Sequence, residues 1–217
     1  MHEDVKQRVM VQTQTAPWLA TTEGEGDCKP LDSLAAGAGT TSLVRAKAGA
    51  VLAPPGSVMG EEILVLDGAL TDARGEYTAG AYLRNPPGWE TTLRSETGCV
   101  LFVKRYAFDA EDTAGVRIDT ASARWLPGLV PGLAVMPLHE HASEHAALVR
   151  WQPETFFQSH AHFGGEEILV LDGVFEDEFG RYSAGSWLRS PHMSRHQPFS
   201  HEGCTIYVKT GHLIAAE

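Results

Sequence analysis

Several features that mark common protein classes are missing from this 217-residue chain. No apolar run approaches the roughly 18 residues that a membrane-spanning helix needs, and the polar, acidic start Met1–Lys6 differs from a signal peptide. We therefore expect a cytoplasmic protein that does not enter the membrane. Cysteine is scarce, and Cys28, Cys99 and Cys204 include no C-x-x-C pair, which argues against a disulfide framework and a cysteine zinc site.

Basic runs are absent as well. The formal net charge is −11 with neutral histidines, so a nucleic-acid partner bound by phosphate neutralisation is not expected. No P-loop, dinucleotide fingerprint or Ser-His-Asp set is found either. The length allows one large domain or two domains of about 100 residues each.

The most prominent feature that the chain does contain is a repeat. Residues Gly60–Gly68 and Gly165–Gly173 are identical, both reading Gly-Glu-Glu-Ile-Leu-Val-Leu-Asp-Gly. The two repeats align without a gap at the offset that pairs Glu61 with Glu166. The same offset pairs Gly75 with Gly180, Pro86 with Pro191, and Cys99 with Cys204. We predict two tandem domains, residues 1–110 and 111–217.

Each repeat consists of short β-type runs separated by Gly, Pro and Asp turns, without a convincing helical period. Glu167–Leu171 and Cys204–Lys209 are examples of predicted strands. Many short antiparallel strands in a domain of this size predict an all-β jelly roll. Ile168–Leu171 is apolar on both faces, which predicts a strand in the middle of a sheet.

The second repeat also carries a candidate metal site. In an extended chain His160 and His162 point to the same face, and Glu166 can return to it after the Gly164–Gly165 bend. We predict His196, on a later strand, as the fourth ligand. Three imidazoles and a carboxylate suit one divalent transition metal, zinc first and iron, manganese, nickel or copper as alternatives, whereas calcium and magnesium require oxygen ligands.

This ligand spacing, the Gly164–Gly173 run, Gly185–Pro191 and Glu202–Cys204 together resemble the cupin domain of ChrR-type anti-sigma factors. The resemblance covers nearly all of the second repeat and, apart from the ligands, most of the first. It implies two tandem cupin domains, each a double-stranded β-helix of the jelly-roll type. It also carries the zinc ligands of that family over to four residues: His160, His162, Glu166 and His196.

In ChrR-type proteins the cupin follows a small helical, zinc-binding domain that binds the sigma factor. Met1–Thr15 is too short for such a domain and matches Asp112–Ser122 as part of the repeat. The resemblance therefore concerns the cupin alone.

The first repeat has lost most of the candidate ligands. Pro55, Ser57 and Thr91 stand where the second repeat has its three histidines, and only Glu61 remains. We expect the first domain to be free of metal. Glu61 should be held by an arginine or by backbone amides, because a buried carboxylate needs a partner.

Several histidines and cysteines lie outside the candidate metal site. His139–His145 is rich in histidine and glutamate but lies where the repeats differ in length, so we interpret it as a solvated loop, with a second metal site as the alternative. His192 is interpreted as a surface-turn residue that alternatively lines the mouth of the site. Cys99 and Cys204 are expected to be buried structural thiols.

Three functions are compatible with these features. The first is a metal-binding regulatory or sensory cupin related to anti-sigma factors. The second is a metal-dependent dioxygenase that acts on a small diketone, phenol or other oxygenated molecule, and the third is an intrachain dimer with a structural metal. Four protein ligands fill the tetrahedral shell of zinc, which fits a structural or sensing ion. They leave two positions of an octahedral ion open, which fits catalysis. The sequence does not decide between the three functions. Partners compatible with these hypotheses are a small molecule in the C-terminal barrel, a sigma factor, and a second copy of the chain.

Overall fold

The computed structural model describes residues 4–21, 26–34, 39–52, 59–106 and 108–213. Every helix or strand element in these ranges is a β-strand, which confirms the predicted all-β fold class. Within the same ranges, no helix is long and apolar enough to cross a membrane.

The strands are short, with two exceptions of 12 and 13 residues. The first eleven are β1 (Val9–Gln12), β2 (Leu19–Ala20), β3 (Gly26–Leu34), β4 (Gly39–Ala46), β5 (Ala50–Leu52), β6 (Gly60–Asp72), β7 (Gly75–Thr78), β8 (Ala81–Asn85), β9 (Leu93–Ser95), β10 (Cys99–Tyr106) and β11 (Val116–Asp119). The others are β12 (Leu126–Pro127), β13 (Leu133–His141), β14 (Glu144–Trp151), β15 (Thr155–Phe156), β16 (His160–Ala161), β17 (Glu166–Asp177), β18 (Gly180–Ser183), β19 (Ser186–Ser190), β20 (Arg195–His196), β21 (Phe199–Ser200) and β22 (Cys204–Thr210).

The chain forms two compact units. The first unit is Pro17–Ala123, and the second unit combines Asp4–Ala16 with the chain from Arg124 onwards. Strand β1 therefore belongs to the second unit, although it lies in the first sequence repeat, and β11 belongs to the first unit. The compact units and the predicted domains 1–110 and 111–217 differ by these two strands.

Each unit contains an antiparallel sheet of seven strands with the same arrangement. The order is β11-β8-β6-β10-β4-β3-β2 in the first unit and β1-β19-β17-β22-β14-β13-β12 in the second. The long central strand of each unit, β6 or β17, continues beyond the seven-stranded sheet and pairs with a second group of short strands. In the second unit this group is β18, β21 and β15. Two groups of strands that share a bent central strand form the expected jelly roll.

The identical Ile-Leu-Val-Leu runs lie in the central strands, as predicted. In the second unit, β17 is paired on both sides, with β19 and with β22. Ile168 and Val170 belong to a buried cluster with Leu188 and Ile206, whereas Leu169 lies outside this cluster and is also buried. Both faces of the strand are therefore covered, which explains why its sequence does not alternate with polar residues.

Gly173 marks the place where β17 bends from one group of strands to the other. Its φ is +71°, and a Cβ atom there would lie 2.1 Å from the carbonyl oxygen of Gly203. Gly173 pairs with Cys204 at the end of the larger sheet, and the next residue, Val174, pairs with β18. Only glycine fits this backbone, because other residues would suffer both an unfavourable φ and a clash.

We expect Gly173→Ala to lower the free energy of unfolding by about 3 kcal/mol or more, since a strained φ alone costs about 1–3 kcal/mol. Gly49→Ala is a control for the φ effect alone: its φ is +80°, but no atom lies within 4 Å of the added Cβ. Denaturant unfolding of both variants measures the difference. Equal destabilisation by the two substitutions would contradict the role assigned to close packing at Gly173.

Candidate metal centre

The predicted ligands lie in neighbouring segments of the second unit. His160 in β16 and His196 in β20 are direct partners in an antiparallel pair. The backbone N–H of His162 donates to the carbonyl of Ser194 at 3.1 Å, which continues the same pairing. Glu166 is the first residue of β17. The fold thus brings together all four residues that the sequence analysis selected.

The Gly164–Gly165 turn allows the chain to reverse between His162 and Glu166. Both glycines have a positive φ, +72° and +73°. A Cβ on Gly164 would lie 2.6 Å from Gly211, and one on Gly165 would lie 2.8 Å from the carbonyl oxygen of Ser190. The predicted bend therefore requires glycine at both positions.

The side-chain donor atoms are spaced as ligands of a single ion would be. The Nε2 atoms of His162 and His196 are 3.1 Å apart. The carboxylate of Glu166 lies 3.4 Å from Nε2 of His162 and 3.5 Å from Nε2 of His196. Ligand atoms of His160, His162 and His196 all lie within 4.8 Å of one another. Because bonds to a zinc-like ion are about 2.0–2.2 Å long, neighbouring ligands around it are roughly 3–3.5 Å apart, so the donor set fits one ion.

Hydrogen bonds at Nδ1 orient the imidazoles of His160 and His196, whereas Nε2 is the ring nitrogen available to a metal ion. Nδ1 of His160 lies 3.0 Å from the carbonyl oxygen of Gln158, and Nδ1 of His196 lies 3.4 Å from a carboxylate oxygen of Asp177. Both partners accept a hydrogen bond, so Nδ1 carries the proton and the lone pair of Nε2 points to the centre.

Burial sets the protonation of the metal-free site. It lowers the pKa of His160, and lowers that of His162 to about 3, where the neighbouring imidazoles add to the effect. Burial raises the pKa of Glu166 to about 7. For His196 burial acts downward, but the hydrogen bond to Asp177 and the charge of Glu166 raise the pKa overall. The lowered pKa values keep His160 and His162 neutral and ready to bind a cation at neutral pH, and a bound cation would displace the proton that Glu166 retains near its raised pKa.

A cavity of about 220 Å³ adjoins the candidate ligands. Among the described residues that line it, only Thr210 and the indole of Trp151 have polar groups besides the four candidate ligands, and none is a lysine or an arginine. Most of the wall is aliphatic or aromatic, and it includes Val149, Trp151, Phe157, Phe175, Ile206 and Val208. The donor atoms therefore face an apolar space of small-molecule size.

A family model of the ChrR cupin-like domain matches the chain twice, over residues 6–109 and 113–214. The chain belongs to the ChrR cupin-like family. The two matches confirm the duplicated ChrR-type cupin that the sequence indicated. We call the first unit the first cupin and the second unit, with Asp4–Ala16, the second cupin. None of the curated proteins matches this chain.

Solved structures share the fold at low sequence identity. A candidate dioxygenase from Nostoc punctiforme has a TM-score of 0.78 at 14% identity, over 97% of this chain and 85% of that one. Protein Ylba from E. coli has a TM-score of 0.76 at 13% identity, over 99% and 95%. The oxalate decarboxylase of Lactobacillus farciminis, in complex with formate, has a TM-score of 0.67 at 12% identity, over 96% and 87%. Such likeness establishes the cupin fold and leaves the reaction open.

The first cupin holds its remaining glutamate in the expected way. Glu61 accepts a hydrogen bond from the side-chain amide of Asn85 at 2.8 Å, and Nε of Arg105 donates to its other oxygen at 3.3 Å. An arginine partner for Glu61 agrees with the prediction. Thr91, the counterpart of His196, is described, whereas Pro55 and Ser57 lie outside the described residues.

The neighbouring glutamates of the second cupin have different surroundings. Glu167 accepts a hydrogen bond from the indole N–H of Trp187 at 2.7 Å and lies 3.1 Å from Nε2 of His212. Glu166 instead lies beside His162 and His196. The geometry therefore favours Glu166 over Glu167 as a ligand.

Among the described residues, the other sequence candidates are not part of this group of ligands. His139–His145 forms the β13–β14 hairpin end, with Nδ1 of His145 3.8 Å from Glu140. Within the described part of the chain, only His160, His162 and His196 form a group of at least three potential ligands. His192 is exposed and accepts the backbone N–H of Gly164 at 2.8 Å, as a turn residue. Both Cys99 and Cys204 are buried.

Two side chains with contacts to this site were missed in the sequence. Neither Asp177, which contacts His196, nor Arg8, which contacts Asp177, is among the candidate residues that the sequence indicates. The signal available for Asp177 was its exact repeat partner Asp72, which also lies at the end of the central strand and precedes a tyrosine by five residues. Arg8 gave no signal, because it lies 169 residues from Asp177.

Proposed function

We propose that the second cupin is a metal-dependent dioxygenase that oxidises a small, uncharged, oxygenated molecule. Its metal would be one divalent transition ion held by four side chains: His160, His162, Glu166 and His196. The observation that carries this proposal is the apolar cavity beside the converging donor atoms. A purely structural ion needs no such cavity, whereas a catalytic ion needs space for substrate.

The donor set agrees with this function in its chemistry. Three neutral imidazoles and one carboxylate suit iron, manganese, nickel or zinc, and an octahedral ion with these four ligands keeps two positions free. When bound, a redox-active ion supplies these open positions and the electron transfer that oxygen chemistry needs. The chain contributes the ligand geometry and a mostly apolar wall.

The wall of the cavity supports an uncharged substrate. A carboxylate substrate would enter a space without a lysine or arginine among its described lining residues, at a cost in desolvation that no cation offsets. The apolar part of an uncharged substrate would pack against Val149, Trp151 and Ile206 in this wall.

The test uses pairs of compounds that differ in charge but little in size. The full chain is stripped of metal and loaded with Fe²⁺ without oxygen, and oxygen consumption is then measured with acetophenone against benzoate and with phenol against oxalate. We expect consumption with at least one uncharged compound and none with the two anions. Zn²⁺-loaded protein is the control, because zinc has no redox chemistry. Preference for oxalate, or silence of the entire panel with iron and manganese, would contradict the proposal.

A regulatory role is the second candidate, because the matching family model is that of the ChrR cupin-like domain. In this role the metal, zinc first, organises the cavity, and its occupant changes the affinity for a sigma factor. Co-purification of the full chain with the sigma factors of its own cell, with metal bound and after chelation, tests it. Metal-dependent capture of one sigma factor would favour regulation, and equal recovery in both samples would not.

A further inference from the structure

Asp177 lies at the end of β17, directly behind the candidate ligand His196. One oxygen of its carboxylate accepts hydrogen bonds from the Tyr182 hydroxyl at 2.9 Å and from the backbone N–H groups of Phe179 and Gly180 at 2.9 and 3.2 Å. The other oxygen contacts Nδ1 of His196 at 3.4 Å and the guanidinium of Arg8. Five donors therefore converge on one carboxylate, which fixes its position and keeps it ionised.

Arg8 comes from the N-terminal segment that joins the second cupin. It immediately precedes β1, which pairs with β19. Its guanidinium also donates to the Tyr182 hydroxyl at 3.1 Å and lies 4.3 Å from the centre of the Phe179 ring. The side chain of Asp177 is fully buried, whereas that of Arg8 is 26% exposed. Arg8 and His196 thus contact the same carboxylate oxygen of Asp177, and Arg8 brings a permanent positive charge to it.

The first cupin contains the same carboxylate anchor without the imidazole. Asp72, the repeat partner of Asp177, accepts hydrogen bonds from the Tyr77 hydroxyl and the Arg74 backbone N–H, both at 2.8 Å. Nη2 of Arg117 lies 3.5 Å from its other oxygen. The position of His196 is taken by Thr91. The Arg-Asp-Tyr set is therefore part of the barrel in both cupins, and only the second cupin adds a metal-directed histidine to it.

We propose that Asp177, held in place by Arg8, is a positioning residue of the metal centre that fixes the orientation and tautomer of His196. By accepting the Nδ1 proton, Asp177 leaves the lone pair of Nε2 directed at the ion and increases its basicity. Arg8, which belongs to the first sequence repeat, therefore supports a metal site in the second. This inference rests on the proposed metal function of His196.

The experiment measures metal affinity instead of activity. The full chain is stripped of metal and titrated with Zn²⁺ against a chromophoric chelator, and the visible spectrum is recorded with Co²⁺. Asp177→Asn is compared with the matched Asp72→Asn in the first cupin, and Arg8→Met is compared with Arg8→Lys, which keeps the cation. Thermal unfolding of the metal-free variants reports the structural contribution of each anchor.

We expect Asp177→Asn to weaken Zn²⁺ binding by about 10- to 100-fold and to shift the Co²⁺ bands, as the loss of a partner behind a ligand does. Asp72→Asn should lower thermal stability without either change. Arg8→Met should weaken binding by a smaller factor, and Arg8→Lys should retain most of the affinity, so this pair decides the matter if Asp177→Asn does not fold. An unchanged affinity in Asp177→Asn, or equal losses in Asp177→Asn and Asp72→Asn, would overturn the inference. Failure of the wild-type chain to bind metal would instead overturn the proposed function.

Discussion

His196→Ala is expected to abolish stoichiometric metal binding by the chain. The expected loss of affinity exceeds the roughly 10- to 100-fold loss that removal of an outer partner causes, because a ligand itself is removed. His196 also connects the other parts of the site, since it lies 3.1 Å from His162 and 3.5 Å from Glu166. Elemental analysis after gel filtration, and competition with a chelator for Zn²⁺, measure the change.

His201→Ala is the matched control for this substitution. His201 lies in the same cupin, is exposed, and contacts Glu154 through Nδ1 at 3.1 Å, away from the candidate ligands. Its replacement should leave one metal ion per chain. Retention of a full equivalent of metal in His196→Ala would show that the ligand set is wrong, provided that both variants keep the β-type circular dichroism of the wild type.

Glu166→Gln is expected to stabilise the metal-free protein at pH 8 while it weakens metal binding. The pKa of Glu166 is raised by burial from 4.5 to about 7, so the folded state binds the proton more tightly than the unfolded state does. As the pH rises from about 4.5 to above 7, ionisation of this carboxylate therefore lowers the free energy of unfolding. One unit of pKa corresponds to 1.36 kcal/mol, so the total loss is up to about 3 kcal/mol. Glutamine never ionises and avoids this loss, but it is a poorer ligand for a cation.

Urea unfolding with a chelator at pH 5 and pH 8 measures this effect as the difference between wild type and variant. The lowered pKa values of His160 and His162 act in the opposite direction, since their stabilising effect grows as the pH rises, but they are present in both proteins. Glu61→Gln is the control, because Glu61 is the repeat partner of Glu166 in the first cupin. This substitution removes the ion pair between Glu61 and Arg105 and is not expected to stabilise the protein. A stability difference for Glu166→Gln that does not grow between pH 5 and pH 8 would contradict the expected cause.

Much of the barrel could be predicted from local sequence, because the same strand and turn residues occur in both repeats. The identical Gly60–Gly68 and Gly165–Gly173 runs lie in or next to the central strands β6 and β17, and the glycines that end them, Gly68 and Gly173, are bends with a positive φ. The ligand spacing was equally local, since His160, His162 and Glu166 lie within one turn and the following strand. Their choice followed from the two-residue period of an extended chain and from the Gly164–Gly165 bend.

The parts that could not be predicted depend on pairing between distant segments. Val9 pairs with Arg189 and Val116 with Arg84, so the equivalent strands β1 and β11 each join the unit that the order of the repeats does not suggest. Nothing in the composition of a four-residue strand specifies such a partner. Most of the cavity wall could not be predicted for the same reason, because it is formed by side chains from β13, β14, β17 and β22 that meet only after the sheet has closed.

The placement of β1 also affects the order in which the two sheets can form during synthesis. β1 pairs with β19, and all the strands of the first unit lie between these two strands in the chain. Because the chain is made from its N-terminal side, β1 has no native partner until β19 has been made. The sheet of the first unit can therefore form before β1 pairs and before Arg8 reaches Asp177.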